Sequence, residues 1–131
     1  MILLDTQVWV RWLEPDNGPL PRRLTEQIES GVRLAVSAVS CWEIAYLERR
    51  GRIELPLPID EWLHAALDES GVECLPITLP IAVTAARLTD IHRDPADRFI
   101  IATALQLQAK LISLDGKFKD YPELGSLLVS A

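Results

Sequence analysis

Residues 94–115 read DPADRFIIATALQLQAKLISLD. The segment opens on Asp94 and Pro95, an Asp cap followed by proline at the first helical position, which is a common helix start. Phe99, Ile100, Ile101, Leu105 and Leu107 nearly encircle residues 95–109, so this helix is expected to be central and buried. Residues 110–114, KLISL, are a short apolar run that ends on Asp115. A run of that length and composition suits a strand covered on both faces.

Helix, buried strand, acid: the rest of the chain is read outward from that unit. Residues 1–4 form another apolar run and end on Asp5. Further runs are RLAV at 33–36, VECLPI at 72–77 and LLV at 127–129. Helical periods lie between them. Trp9, Trp12 and Leu13 mark the first helix, and residues 24–28 after Pro21 the second, which Gly31 ends. The third covers 38–50, where Val39, Trp42, Ala45, Tyr46 and Arg49 follow the 3.6 period and Gly51 stands just past the end. The fourth covers 59–70, with Trp62, Leu63, Ala66 and Leu67 on one side, and the fifth runs from about 80 to 88. Strands alternating with helices predict an α/β sandwich around a parallel sheet, with two helices in most crossovers. No repeat, low-complexity block or linker interrupts the 131 residues, and one domain over 1–131 is expected.

The chain holds 19 Asp and Glu against 13 Lys and Arg, a formal charge of −6. That balance argues against a protein that coats nucleic acid or a polybasic membrane binder. Cys41 and Cys74 sit in apolar runs and are expected to be buried thiols in a reducing cytosol. No apolar stretch reaches the ~20 residues of a membrane span. The start, MILLDTQVWV, carries an acid and no basic leader, so the expectation is a cytoplasmic protein.

The acids carry the chemistry. In a parallel sheet, ligands bind outside the carboxyl ends of the strands. Asp5 and Asp115 each follow a strand directly and fall on that edge. Glu43 lies in the first turns of the helix after RLAV, and Asp97 in the first turn of the 95–109 helix. Four carboxylates from four segments are thus able to converge. Two carboxylates about 4 Å apart repel by about 4 kcal/mol at an effective dielectric near 20. A hard divalent cation removes that penalty, and carboxylate oxygens suit Mg²⁺ or Mn²⁺. His64 and His92 with the two cysteines lack zinc spacing. Metal-assisted phosphodiester hydrolysis is the natural chemistry of such a site. Each acid also has a plainer role open to it. Asp97 at the third helical position favours the helix dipole. Ser40 and Glu43 have capping-box spacing, with Ser37 as a competing cap. Asp5 and Asp115 serve equally as polar punctuation after a strand.

Asp5 with Thr6, Glu43 within SAVSCWEIAYL, DPADRFIIATAL at 94–105 and LISLDGKF at 111–118 together resemble the PIN-domain ribonucleases. Within these, the likeness is to the VapC toxins of toxin–antitoxin pairs. RGRIELP at 50–56, Trp62 and LPIT at 75–78 extend the resemblance over essentially the whole chain. It implies a PIN-like three-layer sandwich, with a central, mainly parallel sheet of four to five strands flanked by helices. The acidic quartet it implies is Asp5, Glu43, Asp97 and Asp115, as catalytic residues and ligands of Mg²⁺ or Mn²⁺. Thr6, Asp94 and Ser113 are implied helpers. Arg98 stands beside Asp97 as a charge partner within the site or a phosphate contact. The resemblance further implies an RNA substrate, a VapB-like antitoxin and a homodimer, with Trp9, Trp12 and Tyr46 as plausible anchors for the antitoxin.

Other readings compete. A phosphoacceptor receiver domain needs two adjacent acids early, and Thr6 follows Asp5. It also needs a central Asp after the third strand, where Thr78 and Leu79 stand. A haloacid-dehalogenase-type phosphatase needs an acid where Gln7 is. A PIN-like module that only binds is opposed by the presence of all four acids. Arg93, Lys117 and Lys119 are candidate phosphate contacts, ahead of the helix-end cluster Arg49, Arg50 and Arg52. All four tryptophans fall at helical apolar positions and are expected in the core or an interface.

Overall fold

The computed structural model describes residues 1–91 and 93–130. His92, weighed above as a zinc ligand, lies outside the described residues. The sheet has five strands, β1 (Ile2–Leu4), β2 (Leu34–Ser37), β3 (Val72–Leu75), β4 (Lys110–Ser113) and β5 (Leu128–Ser130), in the order β3-β2-β1-β4-β5. Every pairing is parallel. Helices α1 (Thr6–Leu13) and α2 (Arg22–Ile28) connect β1 to β2. α3 (Ala38–Arg49) and α4 (Ile59–His64) connect β2 to β3, and α5 (Leu79–Arg87) and α6 (Pro95–Leu107) connect β3 to β4. The last crossover carries only 3₁₀ turns.

Alternation along the strands makes the layers. Ile2, Leu4, Leu34, Val36 and Ile112 face one side, where Val8, Trp9, Leu24, Ile28, Ile44 and Trp62 cover them. Leu3, Ala35 and Leu111 face the other, under Ile100, Ile101, Ala104, Phe118 and Tyr121. Side chains of period two, buried on both faces, require this three-layer arrangement. Among the described residues no helix is long and apolar enough to cross a membrane.

Several expectations change. β3 ends at Leu75, short of Pro76, which lacks the N–H that a sheet ladder needs. The helix expected over 59–70 becomes π-helical over Ala65–Glu69. Helix α6 stops two residues early, with Gln108 in the left-handed region at φ 51°. The stripe expected on α3 is not the one that is buried: Ser40 and Ile44 face inward, while Trp42 is 59% exposed and Tyr46 41%. Trp42 therefore lies outside the core. Ser37, not Ser40, caps α3, accepting the Val39 N–H at 3.2 Å. Trp9 is fully buried against Trp62, so it offers no anchor to a partner. The cysteines are unlinked with sulfurs 4.0 Å apart, Cys74 exposed and Cys41 partly so, which overturns their expected burial.

Candidate metal and catalytic cleft

The chain order places the site. β2 and β3 lie on one side of β1, β4 and β5 on the other, so the order in which strands are added reverses between β1 and β4, while all run parallel. A crevice opens at the carboxyl ends of such a strand pair. Asp5 follows β1 and Asp115 lies just past β4.

Two hydroxyls bind the acids into place. The Ser113 hydroxyl on β4 donates to Asp5 Oδ2 at 2.8 Å and accepts the Asp115 N–H at 3.0 Å. Asp5 Oδ1 accepts the Thr6 N–H at 2.7 Å, so Asp5 also caps α1. Asp115 Oδ1 accepts the Lys117 N–H at 2.8 Å. Thr6 Oγ1 lies 2.6 Å from Glu43 Oε1 and 2.8 Å from Ser40 Oγ. A hydroxyl has one proton to give, and the carboxylate is the stronger acceptor, so Ser40 donates to Thr6 and Thr6 to Glu43.

Asp5, Thr6, Glu43, Asp94, Asp97 and Asp115 line one cleft of about 340 Å³, together with Gln7, Arg11 and Leu114. Asp94 does two things there: its carboxylate caps α6 through the Ala96 N–H at 3.0 Å, and it faces the cleft. A larger groove, about 530 Å³, runs between Glu14 and the 51–56 segment. It draws in none of the four strand-end and helix-start acids, so size does not mark the site.

Burial, then the negative charges of Asp5, Asp94, Glu43 and Asp115, push the Asp97 carboxyl up to about 8. Glu43 is raised above the ordinary carboxylate range, first by burial and then by Asp5 and Asp94, against the lowering effect of the Thr6 hydrogen bond. The cluster therefore gathers mutually repelling carboxyls in one cleft. Among the described residues no three carboxylate, imidazole or thiol groups are already closed into an ion-holding set. The donors present fit a cation that keeps several waters and takes only one or two carboxylates directly, as Mg²⁺ does. All are oxygens, and the charge they share is what such an ion offsets.

Arg98 does not join the cluster. Its guanidinium reaches the carbonyls of Ala85 at 3.1 Å, Leu88 at 2.9 Å and Thr89 at 3.1 Å, tying the end of α5 to α6. Neighbours on a helix point about 100° apart, so with Asp97 toward the cleft, Arg98 is carried away from it. Arg93, Lys117 and Lys119 are exposed. Ser40 and Arg11 were missed as members of the site. Ser40 was read as a cap. Arg11 stands one turn after Gln7 on the helix that Asp5 starts, a spacing that pointed to the same face.

A parallel α/β sandwich that gathers acids from four chain segments at its switch point defines a class of domain suited to a hard cation and an anionic ligand. The chain belongs to the PIN-domain family, whose model matches residues 2–124. It is 34% identical over 122 residues to Ribonuclease VapC22 of Mycobacterium tuberculosis, covering 92% of this chain and 91% of that protein. Its fold is similar to that of a toxin–antitoxin complex from Klebsiella pneumoniae, with TM-score 0.65, 18% identity, and 98% and 96% of the two chains covered. It is also similar to VapBC2 of Rickettsia felis bound to a DNA fragment from its promoter, with TM-score 0.68, 20% identity, and 99% and 98% covered.

Proposed function

We propose that the protein is a metal-dependent endoribonuclease, the toxin of a toxin–antitoxin pair. One observation carries the reading: Asp5, Glu43, Asp97 and Asp115 meet in one cleft at the β1–β4 switch point. The 34% identity to a ribonuclease over most of both chains supports RNA as the substrate. The likeness to chains from toxin–antitoxin complexes supports a VapB-like antitoxin as partner. A homodimer and a cytoplasmic location complete the proposal.

Asp5, Asp97 and Glu43 would hold Mg²⁺ or Mn²⁺, with Asp115 completing the set. When bound, the ion neutralises phosphodiester charge and lowers the pKa of water. The chain's own groups do the positioning. Ser113 fixes Asp5 and the backbone of Asp115 with a single hydroxyl, and Thr6 orients Glu43. The raised Asp97 and Glu43 carboxyls would have to give up their protons to hold the ion. In-line attack of water on phosphorus leaves a 5′-phosphate and a 3′-hydroxyl. No Ser, Cys or His nucleophile is needed.

Asp5→Asn tests the proposal. Cleavage of RNA in Mg²⁺ should fall at least ~100-fold, the scale on which losing one preorganised electrostatic contact acts. Circular dichroism should show an unchanged fold. Wild-type cleavage by the folded variant would remove Asp5 from the role, and RNA binding that never leads to cleavage in Mg²⁺ or Mn²⁺ would favour a binding module. Sequencing RNA ends after brief expression in cells should show new 5′-phosphate ends.

A further inference from the structure

Arg11 is a cation in an acid cleft that pairs with none of the acids. It lines the cleft beside Asp5, Glu43 and Asp97. Its Nε is buried and without a hydrogen-bond partner, and among the described residues it forms no salt bridge. Arg98 shows the contrast, with its guanidinium met by several carbonyls.

Gly18 explains how Arg11 is held apart. Its φ of +118° disfavours any side chain, and a Cβ there would stand 3.2 Å from Arg11 Nε and 3.3 Å from Cζ. The guanidinium thus packs against bare backbone at the turn after the 3₁₀ segment Pro15–Asn17. A buried guanidinium donor without a partner is costly. The ligand that suits it has paired anionic oxygens, and phosphate matches the planar guanidinium fork.

We infer that Arg11 is a phosphate-binding residue of the cleft, gripping the RNA backbone next to the bond that the acids address. The inference rests on the ribonuclease reading. Acids and arginine divide the work: the acids take the cation, and Arg11 takes the phosphate that the acids alone would repel.

The test uses a cleavage-deficient Asp97→Asn background and a fluorescently labelled single-stranded RNA read by anisotropy, with Arg11→Met and Arg11→Lys added in turn. Methionine keeps the apolar stem and removes the charge. Arg11→Met should weaken binding about tenfold, the scale of a charge-assisted contact. The slope of log affinity on log salt should shrink by about 0.7, the share of one phosphate on a single strand. Arg11→Lys should recover part of the affinity. Melting temperatures of the variants show whether the fold survives, and the salt slope is a readout that a merely structural arginine would not move. Equal affinity and slope in Arg11→Met overturn the inference and leave the ribonuclease reading standing. So does weaker binding with an unchanged slope and no recovery by lysine. If the wild-type protein neither binds nor cuts RNA, the ribonuclease reading fails and this inference with it.

Discussion

Thr6 and Ser113 each hold a pair of site groups with one hydroxyl. Thr6→Val keeps the shape and removes the donor to Glu43, so the Glu43 carboxyl rises further. The acidic limb of the pH–rate profile should move to higher pH, and activity should fall ~10-fold, as for other groups that orient a ligand from behind. Thr6→Ser should restore both. An unmoved limb in Thr6→Val would deny Thr6 this role. Asp97 makes a second prediction. Its carboxyl has a reference value of 3.8 and is raised to about 8 in the fold. Between those values the folded state keeps a proton that the unfolded chain has released, so stability falls as pH rises through the window. Metal-free protein should melt at a lower temperature near about pH 8 than near about pH 5, and Mn²⁺ should raise the melting temperature more at the higher pH. Asp97→Asn should flatten the dependence. A melting temperature that climbs over this range would contradict the raised Asp97 carboxyl.

Elements show why some of this was legible in sequence and some was not. Strands β1 and β4 were plain because residues on both of their faces are buried, leaving short Ile- and Leu-rich runs that lead to an acid. Asp5 and Asp115 could be placed from that alone. Helix α3 was misread because it has apolar residues on two sides. Periodicity finds a stripe but does not say which stripe the sheet takes. Ile44 packs into the core and Ser40 meets Thr6, which turns Trp42 and Tyr46 outward. Arg98 was misplaced because adjacency in sequence was taken for adjacency in space. Helix α6 allows a separation of roles at Asp94. Asp94→Ala should cost about 1 kcal/mol by loss of the cap, whereas Asp94→Ser should keep most of it. If Asp94 is only a cap, Asp94→Ser cleaves RNA like the wild type. If its charge helps the site, both variants lose activity together, while only alanine lowers the urea midpoint.

At the scale of the whole molecule, the formal charge of −6 falls to −2 when the quartet Asp5, Glu43, Asp97 and Asp115 is set aside. The excess is local, not a property of the surface as a whole. The hydrophobic layers are just as uneven in what they ask of similar residues. Trp62 is 3% exposed, stacks obliquely on Trp9 at 5.7 Å and donates its indole N–H to Glu14 at 2.9 Å. Trp42 stacks on Tyr46 in the open. Trp62→Ala should cost about 3–5 kcal/mol and Trp42→Ala about 1 kcal/mol or less, as read by denaturant unfolding. Comparable losses would mean that Trp42 is covered in solution.

The bond between Ser113 and Asp5 joins residues 108 positions apart. More than a hundred residues and three crossovers separate β1 from β4, and all of them must fold before the two strands can lie side by side. Until then the strand that carries Asp5 lacks its neighbour on that side, and the cleft has neither Asp97 nor Asp115. The cleft is complete only when β4 has paired with β1, so the acids depend on the longest-range step of folding.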